Sequence, residues 1–165
     1  CTYTATACCK LRLCVVRATS RARPTKPPPT KAISDKTMVQ RAASNNWPII
    51  IDIRAGETPL FYASLPGTTP ANSDWARRKR NLVNKLEMSS YSIGLHISIG
   101  QNILEFMALD ARDHAPAGGC VPIRGKGAGM VATCTVSGLP QRDDHKVVVE
   151  AIADLLGLSL GDAAL

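Results

Sequence analysis

WPIIIDIRAGETPLFYASL, residues 47–65, is the stretch whose reading decides the fold class. The β-branched run from Pro48 to Ile53 has the length and bias of a strand. Ala55-Gly56-Glu57 supplies a turn, and Leu60 to Leu65 returns as a second strand. Strands joined so closely run antiparallel, because a parallel return needs a crossover of about a dozen residues.

Upstream of this hairpin, residues 35–46 read as a short helix, with Ser34 or Asp35 as N-cap and Asn45-Asn46 at its end. Downstream, the segment PGTTP at 66–70 breaks the pattern. Asn72, Ser73 and Asp74 then offer N-caps for a helix beginning at Trp75. That helix, WARRKRNLVNKLEM, places Trp75, Leu82, Val83 and Leu86 on one stripe. Lys79 shares the apolar face and Arg78 lies at its edge, whereas Arg77 and Arg80 point elsewhere. Lys79 reads either as a cation snorkelling at the core boundary or as an inward charge awaiting an anion such as a carboxylate.

SSYSIGLHISIG, 89–100, is ambiguous: Tyr91, Ile93, Leu95, Ile97 and Ile99 alternate as in a strand, yet a second helix after a short break also fits. GGCVPIR and GMVATCTVSG read as two buried strands around a Gly-rich turn at 125–129, and DDHKVVVEAIADLLG is a helix stopped by Gly157. The order describes one α/β (α+β) domain over residues 35–160, with an antiparallel or mixed sheet covered by helices and not a doubly wound parallel one.

A net charge of +7 first points to a polyanion partner, but its distribution argues otherwise. Residues 1–31 hold seven basic residues and no acid, and the other 13 of the 20 balance the 13 acids. A basic face for nucleic acid is therefore not expected, and the Arg77–Arg80 cluster has only Trp75 and Tyr91 near it for stacking. Residues 1–34 read as a basic, Pro-rich, disordered tail in which SRARPTKPPPTK favours extended polyproline II. Four of the six cysteines lie in that tail without zinc spacing or a secretory signal, so reduced thiols in a cytoplasmic protein are expected. The acid-free, Arg-rich start also has the composition of a mitochondrial transit peptide, the alternative location. No apolar run approaches the roughly 18 residues that span a bilayer, so no membrane partner is expected.

The motifs of known chemistry are incomplete. GKGAG at 125–129 lacks the Lys-Ser/Thr ending of a phosphate loop and sits between strands. Ser137 has no Gly two residues before it, so no nucleophile elbow is formed. His96, His114 and His145 have no recognised metal spacing, and no metal site is expected. His145 has the strongest case for a role, in the first turn of the last helix beside Asp143 and Asp144, where free backbone N–H groups favour an anion. No complete catalytic set emerges.

Four segments in order, FYASLPGTTPANSDWARRKRNLV, MSSYSIG, APAGGCVPIRGKG and VSGLPQRDDHKVVVEAI, resemble a small, mostly uncharacterised branch of the haem-degrading-domain family. That family is related to bacterial haem-binding protein S, and the resemblance covers about residues 47–157. It implies a profilin-like fold, an antiparallel sheet with helices on both faces, and a helical 89–99. It also implies homo-oligomers and a small ligand, haem or another carboxylate-bearing molecule. Carried over residue by residue, it nominates Trp75, Arg78, Lys79, Ser89, Ser90, Tyr91, Gly118, Gly119, Asp144 and His145 as ligand-binding.

Many relatives show Tyr-Ala-x-His-Gly-Gly where this chain has His114-Ala115-Pro116-Ala117-Gly118-Gly119, so the family's His is absent at 117. If haem is bound, His96, His114 and His145 all stay open as axial ligands. Relatives also begin with a longer helix that residues 1–34 cannot supply. The start without Met reads as a fragment or a mis-joined gene, with the core under-covered on one side. A non-catalytic, homo-oligomeric interaction protein is the alternative function.

Overall fold

The computed structural model describes residues 15–16, 38–125 and 127–160. In chain order the elements are β1 (Val15–Val16), α1 (Val39–Ser44), β2 (Ile50–Ala55), β3 (Thr58–Ser64), α2 (Pro70–Leu86), α3 (Ser90–Ser98), α4 (Ile103–Phe106), β4 (Cys120–Gly125), β5 (Gly129–Ser137) and α5 (Gln141–Leu156). Apart from β1, the expected tail and the start of the first helix lie outside the described residues.

The expected hairpin is present, β2 pairing antiparallel with β3 from Ile50↔Ser64 to Ala55↔Thr58. The sheet order is β1-β4-β5-β2-β3, so β5 from the far end of the chain pairs with β2. The four longer strands are antiparallel throughout, and only the two-residue β1 runs parallel to its neighbour β4.

The pleat sends alternate side chains to opposite faces, and each face has its own helices. Ile51, Ile53, Val121, Ile123, Cys134 and Val136 form one apolar core with Ala42 of α1 and Val147, Val148, Ala151 and Ile152 of α5. Met38 and Ala42 are fully buried, so α1 covers this core as far as the described chain runs. The opposite face presents Asp52, Thr133, Thr135 and Ser137, all buried, toward α2. The sheet is thus covered on both sides, as a profilin-like fold requires.

Three local expectations are corrected. The helix expected from Trp75 begins five residues earlier, at Pro70, with Thr69 as N-cap. Proline suits the first helical position because its missing N–H would have no partner there. Asn72 lies inside the helix, its side-chain oxygen accepting the Thr69 backbone N–H at 2.7 Å. Trp75 is 42 % exposed and leaves the buried stripe, which runs through Ala76, Lys79, Arg80, Leu82 and Val83. Arg80, read as pointing away, is therefore buried. The segment 89–99, ambiguous from its alternation, is helical as the resemblance implies: the Ser89 hydroxyl accepts from Ser92 N–H at 3.1 Å and starts α3.

Candidate functional site

One end of the sheet gathers most of the side chains singled out in the sequence. At the start of β4, Gly119 has φ +121, and a Cβ there would collide with the Val136 carbonyl and come within 2.9 Å of Lys79 Nζ and of Asp144 Cβ. A Cβ on Gly118 would collide with the Gln141 carbonyl and approach Tyr91 Cδ2 to 2.9 Å. The Gly-Gly pair lets α2, α3 and α5 converge here on the strand backbone.

Lys79 and Asp144 meet at this point. Nζ of Lys79 lies 2.7 Å from Oδ2 of Asp144 and donates to the Val136 carbonyl at 3.2 Å. Both residues are almost wholly buried. The anion facing Lys79 is thus a carboxylate of its own chain, and the side chain does not snorkel. Burial raises the Asp144 pKa, against the pull of Lys79 and of the Leu139 and Gly138 N–H groups. Beside the pair, the His145 ring stacks on Tyr91 with centroids 4.8 Å apart. Burial lowers the His145 pKa to about 4, which keeps the ring neutral, and its Nδ1 has no partner. Ser90 ties α3 to this end, its hydroxyl accepting the Cys120 N–H at 3.0 Å.

A second buried cluster escaped the sequence reading. Asp52 on β2 accepts from Arg80 at 2.5 Å and from Arg54 Nε at 2.9 and 3.1 Å. Arg80 Nε and Thr133 Oγ1 on the same face lack partners. The signal was a lone acid inside PIIIDIR, on the face opposite Ile51 and Ile53, with a cation two residues on.

Arg78 and Trp75 belong elsewhere, on the outer side of α2. The Arg78 guanidinium lies 4.6 Å from the centre of the Trp75 ring and donates to the Ala111 carbonyl at 2.6 and 3.1 Å. Asp74, Arg77, Arg78, Ala111 and Arg112 line an open cleft of about 460 Å³. Arg77 donates to Asp113 at 2.7 Å and to the Arg112 carbonyl at 3.1 Å. Among the described residues the Arg112 side chain pairs with Asp110 alone, at 3.4 Å, and it is 90 % exposed. The 110–119 loop is fastened along α2 by the Asn81 amide on the Asp113 carbonyl and by the Ala115 N–H on the Arg78 carbonyl. It runs from the cleft to the Gly-Gly corner.

The other two histidines share a feature. His114 Nδ1 lies 3.0 Å from the Asp110 carbonyl, and His96 Nδ1 lies 2.8 Å from the Ser92 carbonyl. A carbonyl oxygen only accepts, so Nδ1 carries the proton and Nε2 of the neutral ring keeps its lone pair. Among the described residues no three His, Cys, Asp or Glu side chains cluster to hold a bare metal ion. A haem asks for less from the protein: one axial donor, and cations for its carboxylates. The cleft arginines meet the second requirement, whereas no histidine is among the residues that line the cleft.

A family described as haem degrading protein HbpS-like matches residues 35–153. The UPF0303 protein of Azotobacter vinelandii is 46% identical over 125 residues, 75% of each chain. Among solved structures, the Ybr137w protein has a TM-score of 0.67 at 25% identity, over 80% of this chain and 79% of that one. The protein of a PduOC:heme complex has a TM-score of 0.63 at 17% identity, over 78% of this chain and 93% of that one. Among the described residues no helix is long and apolar enough to cross a membrane.

Proposed function

Because the chain belongs to the HbpS-like haem-degrading family, we propose that it binds a small carboxylate-bearing ligand, with haem the first candidate. The observation that carries this reading is the cleft in which Arg77, Arg78 and Arg112 converge. Guanidinium groups bind carboxylates in a fork geometry that an ammonium cannot match. Arg112 is available for that role, since an exposed pair at 3.4 Å contributes at most about 1 kcal/mol and yields to a better-placed anion. The similar PduOC protein was solved as a haem complex, which makes haem the natural probe.

In this reading Arg78, backed by Trp75, meets the ligand. The residues at the sheet end set the frame: Lys79 with Asp144, Tyr91 with His145, and Gly118-Gly119 fix the far end of the loop whose start forms the cleft. Ser89 and Ser90 fix the start of α3 beside them. Titration with hemin is expected to shift the Soret band, and the double substitution Arg77→Gln, Arg112→Gln is expected to weaken binding about tenfold or more, the worth of one lost charge-assisted hydrogen bond. An unshifted Soret band in the unaltered protein sinks the proposal.

A homo-oligomeric interaction protein is the second reading. It is favoured by Leu95 on α3, Ile99 just after it, and Phe106 and Met107 at α4, four exposed apolar side chains on one stretch of chain, with Phe106 87 % exposed. A monomer in sedimentation at micromolar concentration would count against it.

A further inference from the structure

We infer that the cleft on the outer side of α2 takes a small zwitterion, a free α-amino acid. The inference rests on the carboxylate reading above and narrows it to a ligand smaller than haem. The lining is one alanine and four charged side chains, which offers no apolar wall to a macrocycle. Three of the four are guanidiniums, and the fourth is the carboxylate of Asp74. The edges of these groups that the protein leaves unused decide what the cleft can hold.

Arg77 is engaged by the protein itself. Its Nε and Nη2 donate to Asp74 Oδ1 at 3.1 and 2.9 Å, and its Nη1 donates to Asp113 at 2.7 Å. Arg78 directs Nε and Nη2 to the Ala111 carbonyl, while its Nη1 stands 4.0 Å from Asp74 Oδ2, beyond hydrogen-bond reach. Arg112 pairs through Nε with Asp110 at 3.4 Å, which leaves both of its Nη groups to a ligand. A ligand carboxylate therefore meets Nη1 of Arg78 and the Nη groups of Arg112. Beside them the half-exposed Asp74 keeps Oδ2 as an acceptor.

An anion seated on these arginines faces the Asp74 carboxylate as a like charge. An ammonium on the carbon next to the ligand carboxylate turns that repulsion into a charge-assisted hydrogen bond. The charge balance points the same way. Arg77, Arg78 and Arg112 are answered by Asp74, Asp110 and Asp113, so the site is neutral as a whole and matches a ligand that is neutral as a whole.

L-Alanine and propionate differ only in the α-ammonium, and each is titrated near neutral pH into the isotope-labelled full chain while the backbone amide resonances of Ala111, Arg112 and Asp113 are followed. Alanine is expected to bind about tenfold or more tighter than propionate, the worth of one charge-assisted hydrogen bond. Asp74→Asn keeps an oxygen for Arg77 and removes the charge; an unchanged far-UV spectrum and Tm show that it folds. In this variant the preference for alanine is expected to shrink to about twofold or less.

Propionate binding within about twofold of alanine in the unaltered protein overturns the inference and leaves the carboxylate reading standing. A preference for alanine that survives in Asp74→Asn overturns it too, since the ammonium is then recognised elsewhere. If neither probe moves these amides at concentrations well above the millimolar range, the inference and the carboxylate reading of the cleft fall together.

Discussion

His145 shows what burial does to a single ring. Its pKa falls from 6.5 to about 4 in the folded chain because burial disfavours the cation. Between about pH 6.5 and pH 4 the unfolded chain takes up a proton that the folded chain refuses, so this ring's contribution to stability is lost as pH falls through that window. The full shift corresponds to no more than about 3 kcal/mol. Asp144 acts in the opposite sense: its raised pKa makes the folded chain take up a proton first, which favours folding on acidification. Wild type is therefore expected to show the net of the two slopes. His145→Phe keeps the stack on Tyr91 and removes one of them, so its Tm is expected to fall less than that of wild type between pH 6.5 and 4.5. Parallel losses in the two proteins would contradict this. From the sequence, the place of His145 beside Asp144 was legible; its burial was not, because that depends on Tyr91 arriving from α3.

At the scale of elements, α2 and α5 lie on opposite faces of the sheet and are joined past its end by Lys79 and Asp144. Removing one member of a buried pair leaves the other charged and uncompensated, at a cost of about 3–5 kcal/mol. Lys79→Met is expected to destabilise the fold by that order in urea unfolding, and adding Asp144→Leu to recover part of the loss. A double variant no better than the single one would show that the pair does not couple the helices. The sequence led to Lys79 but not to Arg80, for a definite reason. A helical stripe chosen by hydrophobicity runs through Trp75, Leu82, Val83 and Leu86 with Lys79 among them, whereas the buried residues of the helix are Ala76, Lys79, Arg80, Leu82 and Val83. Arg80 belongs among them because Asp52 waits on β2, and a partner on another element leaves no mark on the periodicity of its own helix. The helix start was misplaced for a related reason, since Pro70 reads as a breaker when it is in fact the first helical residue.

At the scale of the molecule, the hairpin of β2 and β3 was legible because both strands and their turn are local. The placing of β5 beside β2 was not, since it joins residues about 80 positions apart, and the resemblance implied an antiparallel sheet but no strand order. The completed order puts both tight turns, at Gly56 and at Gly127–Ala128, at one end of the sheet. The Gly-Gly corner and the buried Lys79–Asp144 pair close the other end, whereas the turn end is tied to α2 by the more exposed pair of Arg124 with Glu87. Backbone amides report such asymmetry directly, since exchange with solvent deuterium follows the free energy of local opening. Protection in β5 is expected to rise along the strand from Val131 toward Val136, and Lys79→Met to flatten the gradient. The slowest-exchanging hydrogens would then mark where the fold is fastened, and the fast end where opening begins.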